Sequence, residues 1–197
     1  MNDLKSFFEE FDRHTLFVIL PMLAIPFILD KIFSLQPPWP RGSTYITTFL
    51  ELAAIFVCYF IPIKSRRTLL RIQFGLFGTA TFLFVAYFVL YSMFVFTNPF
   101  NGDALIAGYE CTEEAQRFVA PLLNQQCPFL TEEALAAAQY EVEQVWTPVS
   151  VRVTEIMMFL SWSMFFIVTT FLFGLSVAFM QRNRKLDSRS RTRNRRR

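Results

Sequence analysis

Histidine is almost missing from this chain: His14 is the one example among 197 residues. Cysteine is scarce at three, glycine at six, and charged residues at 18%, against roughly 25% charged in an ordinary soluble domain. Each scarcity excludes something. Three cysteines cannot staple a cysteine scaffold, and six glycines cannot build a collagen repeat. HExxH, CxxC, GxSxG and the glycine-rich phosphate loop do not occur. His14 by itself is a thin basis for haem or quinone binding, and no cofactor is expected.

What the chain has instead is apolar and aromatic. Hydrophobic residues make up 53%, aromatics 17%, and 25 residues are Phe; the mean hydropathy is +0.35. The apolar residues cluster in four segments, and about 20 residues of helix cross the hydrocarbon of a bilayer. The first segment, 15–35, is the least regular. It holds Pro21 and Pro26, which each remove a backbone donor and predict a bend. A re-entrant or interfacial hairpin is the alternative for this segment. The second, 45–63, is broken only by Glu51, and the third, 72–96, has no charge. The fourth, 152–180, is uncharged from Ile156 to Met180. The apolar residues run all the way round these helices, unlike the single stripe of a soluble core helix. Residues 1–14 are rather acidic and lead into no small-residue cleavage site, so they read as a cytoplasmic segment and not as a signal peptide.

Basic residues set the expected orientation. Lys64, Arg66, Arg67 and Arg71 lie between segments two and three, and the basic run 181–197 follows segment four. Lys and Arg in short loops stay on the cytoplasmic side, which places both termini inside. The outer loop 97–151 then carries eight acids against one Arg117. Cys111 and Cys127 share this loop, so a disulfide is expected in an oxidising compartment. Cys58 reads as a small buried hydrophobe. The Asn residues outside the spans form no Asn-x-Ser/Thr sequon, which suits a bacterial inner membrane.

The loop 97–151 is too long for a plain connection. Thr112-Glu113-Glu114-Ala115 and Thr131-Glu132-Glu133-Ala134 repeat one tetrapeptide, in which Thr can cap a helix and two carboxylates favour its first turn. One helix is expected to about Val119, before Pro121, and a second from Glu132 to about Trp146. Asn98 to Gly102 reads as a turn. The result is a small disulfide-clamped helical cap. Trp39, in Pro37-Pro38-Trp39-Pro40, and Trp146 are candidate outer-face contacts; an interfacial anchor is the competing role for Trp39.

An ionisable residue inside a span is a functional candidate. Glu51 lies about six residues, roughly 9 Å, from the outer end of its helix. Arg152 and Glu155 sit at the outer end of segment four, so a Glu51–Arg152 pair is feasible. Two kinds of role stay open for Glu51: a cation site or vestibule lining, or a tertiary ion pair or polar group reaching the interface. Adjacent Asp30 and Lys31 mark the outer end of segment one. Gly75, Gly78, Ser161 and the Gly174–Ala178 pair are candidate helix contacts. Ser161 and Ser163 have no histidine or lysine in a matching span, and Glu51 has no second deep carboxylate. The chain therefore reads as a non-enzyme.

The formal +3 is the sum of +8 from residues 181–197 and −5 from the rest. Arg182, Arg184, Lys185, Arg189, Arg191, Arg193, Arg195, Arg196 and Arg197 form a tail that is expected to be disordered. It is a candidate contact for anionic lipid headgroups or an acidic partner. Nucleic acid is less suited, because no aromatics interleave with the basic residues. Ser188, Ser190 and Thr192 are places where phosphorylation would reduce the charge.

In layout alone the chain resembles tetraspan membrane proteins. It lacks the Cys-Cys-Gly of tetraspanins and the cysteines of the claudin first loop, so no residue role carries over. The expected fold is an all-α integral membrane protein of four transmembrane helices, with the cap between helices 3 and 4. The expected role is an accessory or interaction subunit, as a homo-oligomer or with a membrane-protein partner. A self-associating pore or membrane-disrupting effector is the alternative, and a small membrane enzyme comes third.

Overall fold

The computed structural model describes residues 23–32, 35–63, 65–119, 127, 130 and 132–195. Helix α1 occupies 23–32. Then come α2 (Ser43–Phe60), α3 (Arg66–Phe94), the strands β1 (Val95–Thr97) and β2 (Ala104–Ile106), and a short π-type turn of helix at Ala115–Val119. The remaining helices are α4 (Glu132–Ala137), α5 (Val142–Val145) and α6 (Pro148–Arg195). The protein is mostly helical. Two stretches, Arg66–Phe94 and Pro148–Met180, are long and apolar enough to cross a membrane; the apolar run of α2, Ser43–Cys58, is shorter. Residues 15–22 of the first expected span, with Pro21, lie outside the described residues.

The two long helices are apolar without being inside. Only 11% of the most apolar window of α3 is buried, and 22% of that of α6. The core helix of a soluble protein has the reverse pattern, because apolar burial is what holds it in place.

The chain divides into two compact units. The first comprises Met1–Ser34, Thr44–Phe82 and Ser163–Arg197; the second comprises Leu35–Ser43 and Leu83–Trp162. In the first unit α2 and α6 approach closely at Gly174. A Cβ added there would stand 3.0 Å from Cys58 Sγ and 3.3 Å from its Cβ. Around this contact Cys58, Leu69 and Leu175 are buried, with Ile61, Leu76, Phe171 and Phe179 packed against them. Two side chains tie the elements together by hydrogen bonds. Gln73 Nε2 donates to Ser176 Oγ, and Arg182 donates to the Ile61 carbonyl at 2.7 Å, just past the end of α2. By contrast, an added Cβ at Gly75 or Gly78 meets nothing within 4 Å.

The second unit has its own core of Ala107, Cys111, Ala115, Leu130, Ala134, Leu135, Ala138, Val145 and Trp146. The cap is not wholly helical: β1 and β2 form a short antiparallel hairpin with Val95 opposite Ile106 and Thr97 opposite Ala104. Its loop is the expected turn. Gly102 takes a left-handed φ of 74° and its N–H donates to the Asn98 carbonyl at 2.8 Å. Thr112 caps the next turn as expected, accepting from the Ala115 N–H at 3.2 Å. Thr131 lies outside the described residues.

The expected single helix from Glu132 to Trp146 is split into α4 and α5. Tyr140 N–H donates to the Leu135 carbonyl at 2.7 Å and Gln139 N–H to Ala136 at 3.1 Å. That pair of bonds is a Schellman ending, and Gln139 and Tyr140 have φ of 54° and 62°. Glycine usually fills such a position, so neither residue signals the break in sequence. The Cys111–Cys127 disulfide is present, with Cα atoms 6.1 Å apart.

The backbone of α6 is helical to Arg195. Nucleation is the costly step of helix formation, and the apolar part of α6 supplies it. Arg, Lys and Gln then propagate the helix readily.

Candidate functional site

The buried face of α2 reads Thr44, Thr47, Glu51, Ala54 and Cys58. These positions follow the three-and-four spacing of one helix face. Its facing residues on α6 include Ser163, Phe166 and Thr170, all 3% exposed or less. Thr47 Oγ1 and Ser163 Oγ are 3.2 Å apart and share a hydrogen bond. One turn further along α2, Thr170 Oγ1 donates to Glu51 Oε1 at 3.4 Å. Glu51 is 2% exposed, and its second oxygen, Oε2, has no hydrogen-bond partner.

The direction of these hydroxyls is informative. Threonine in a helix commonly returns its hydroxyl to the carbonyl four residues back. Thr48 and Thr169 do so, donating to Thr44 and Phe165 at 2.9 and 2.8 Å. Their sequence neighbours Thr47 and Thr170 bond across the α2–α6 seam instead.

Glu51 has Thr170 as its partner, and Arg152 donates to Glu155 at 2.7 Å. In the second unit Arg152 also lies over the Trp39 ring, 5.6 Å from its centroid. These three residues, with Arg41, Glu143, Leu105, Ile106 and Val151, line a cavity of about 420 Å3. Trp39 is half-buried. Trp146 is corrected as an outer-face contact: it is fully buried, stacked on Phe96 at 6.3 Å, with its Nε1 unpartnered.

Of the basic residues, Arg182 is engaged with the end of α2. Arg184, Lys185, Arg189, Arg191, Arg193 and Arg195 belong to the α6 backbone, while Arg196 and Arg197 lie outside the described residues. Lys31 Nζ stands 3.6 Å from Asp30. Among the described residues no cluster of three or more His, Cys, Asp or Glu side chains is placed to hold a metal.

Sequence reasoning singled out Glu51 but missed Thr47, Ser163 and Thr170 as its surroundings. A signal was available on the α2 side, because Thr44, Thr47 and Glu51 share one helix face. Comparison with known proteins finds no matching family, no matching curated sequence and no matching solved structure.

Proposed function

We propose that this chain is a multi-pass integral membrane protein that serves as a non-enzymatic accessory or interaction subunit of a membrane complex. In this reading 15–35, 45–63, 72–96 and 152–180 cross the bilayer. Both termini are cytoplasmic, 97–151 is extracytoplasmic, and the basic end of α6 meets anionic lipid headgroups. The bacterial inner membrane is the membrane that fits best.

One observation carries the reading: many large apolar side chains on α2, α3 and α6 point outward. Phe74 and Phe82 are 76% and 70% exposed on α3, and Phe49 is 70% exposed on α2. Such surface is unfavourable in water at roughly 25 cal/mol per Å2. Lipid and neighbouring helices are its natural surroundings, and aromatic faces pack well on other proteins. The buried polar residues favour a subunit over a self-associated pore, because Thr47, Glu51, Ser163 and Thr170 face one another within one chain.

Purification in mild detergent tests this. The expected result is a defined assembly, of copies of this chain or with a co-purifying membrane protein, that passes no ions in liposomes. A homogeneous ring with ion flux abolished by Glu51→Leu would overturn it in favour of the pore.

A further inference from the structure

We infer that the α2–α6 seam contains a binding site for one small alkali cation, centred on Glu51, with Na+ as the probe that reveals it. The inference is independent of the subunit role proposed above.

The starting point is a carboxyl group that is almost wholly buried yet only half satisfied. Glu51 is 2% exposed, its Oε1 has one long hydrogen bond from Thr170, and its Oε2 has none. A buried carboxyl group is neutralised by a proton, or as a carboxylate needs a counter-charge or several donors; a bound cation competes with the proton for the same oxygens. Among the described residues the ion pairs are Lys31–Asp30, Arg117–Glu113 and Arg152–Glu155, and none of these cations serves Glu51. The second observation is the set of hydroxyls around it. Thr47, Ser163 and Thr170 are all 3% exposed or less, and Thr47 and Thr170 turn away from their own helices into the seam. Each hydroxyl oxygen keeps lone pairs for a cation while donating its single hydrogen. Thr47 stacks one turn from Glu51 on the same face of α2.

The chemistry of the donors selects the ligand class. All are oxygens, which suit hard cations; soft metals want sulfur or imidazole nitrogen. On α2 the sulfur of Cys58 is seated against Gly174. One carboxylate balances one positive charge. A divalent ion would leave a net charge buried among apolar helices, which is strongly unfavourable. An alkali cation neutralises Glu51, occupies Oε2 and takes its remaining oxygens from Thr170 and the Thr47–Ser163 pair.

The test uses the full-length chain in mild detergent. N,N′-dicyclohexylcarbodiimide, a hydrophobic reagent for buried carboxyl groups, is applied at constant pH and ionic strength in NaCl or choline chloride. Adducts are located by peptide mass mapping, and thermal unfolding is followed in the same two salts. The expected result is modification at Glu51 that NaCl slows. Protection follows occupancy, so it reaches about tenfold at about ten times the half-effective concentration. NaCl also raises the Tm of the wild type and not that of Glu51→Gln. Thr170→Val weakens the protection and Thr170→Ser keeps it, each variant being checked by elution volume and circular dichroism. Equal modification of Glu51 in the two salts overturns the inference. So does a lack of modification combined with no NaCl-specific rise in Tm.

Discussion

Arg152 places its guanidinium 5.6 Å from the centre of the Trp39 ring. It thereby joins the start of α6 to the loop that precedes α2 within the second unit. The same guanidinium donates to Glu155 at 2.7 Å. A cation over an aromatic face at an exposed site contributes about 0.5–1 kcal/mol. The Glu155 pair contributes little beyond that, because the Arg152 side chain is 62% exposed. A double-mutant cycle of Trp39→Ala with Arg152→Ala, read from unfolding in detergent, is expected to give a coupling of about 0.5–1 kcal/mol. The Arg152–Glu155 coupling should be smaller and fade as salt is added. Strict additivity for Trp39 and Arg152 would show that the stacking does not contribute.

The Cys111–Cys127 bridge closes a loop across 16 positions of chain. In the chain-entropy account a loop of that size is worth about 3 kcal/mol. Cys111→Ser with Cys127→Ser is therefore expected to lower the unfolding free energy of the second unit by about that amount. Reduction of the wild type should give the same shift. On non-reducing gels after alkylation from the outer side, both thiols should be protected, and labelled thiols would contradict the outer placement of this loop.

Gly108 is the tightest glycine in the second unit. A Cβ there would stand 2.0 Å from Ser150 Oγ and 2.9 Å from Trp146 Cβ. Ser150 is not free to yield, since its hydroxyl lies 3.1 Å from the Glu110 carbonyl and 2.9 Å from that of Thr147. Gly108→Ala is expected to cost about 1–3 kcal/mol, as overpacking does in other cores. It should also change the near-UV circular dichroism of the buried Trp146. Gly75→Ala, where an added methyl meets open space, serves as the neutral control.

The proposed orientation has a direct readout. Asn101→Cys and Arg67→Cys, each in a Cys58→Ser background, are treated on intact cells with a membrane-impermeant maleimide. Labelling is expected at residue 101 at once, and at residue 67 only after the membrane is opened, as the distribution of Lys and Arg dictates. The opposite order would invert the topology.

The parts of this structure that were legible in the sequence rest on strong local signals. The long apolar runs marked α3 and the start of α6. A lone pair of cysteines in one loop marked the disulfide, and Thr112 ahead of two glutamates marked a cap. The missed parts lack such signals. Strands Val95–Thr97 and Ala104–Ile106 have three residues each, too few to show alternation, although the turn between them was plain. The break after α4 falls on Gln139 and Tyr140, which carry no glycine or proline. Trp146 reads from the sequence as a candidate outer-face contact, whereas the core of the second unit encloses it. The partners of Glu51 were hidden by distance along the chain. Thr170 is 119 positions away, and only the packing of α2 on α6 brings it near.

The close fit of Cys58 against Gly174 makes the native thiol a clock. At 1% exposure it is shielded from aqueous reagents while the two helices stay in contact, so each alkylation event records a moment when they have parted. Its reaction rate measures breathing of the seam that holds Glu51, without any engineered probe. Gly174→Ala would press a methyl group to 3.0 Å from the Cys58 sulfur, loosening this contact and setting that clock running faster.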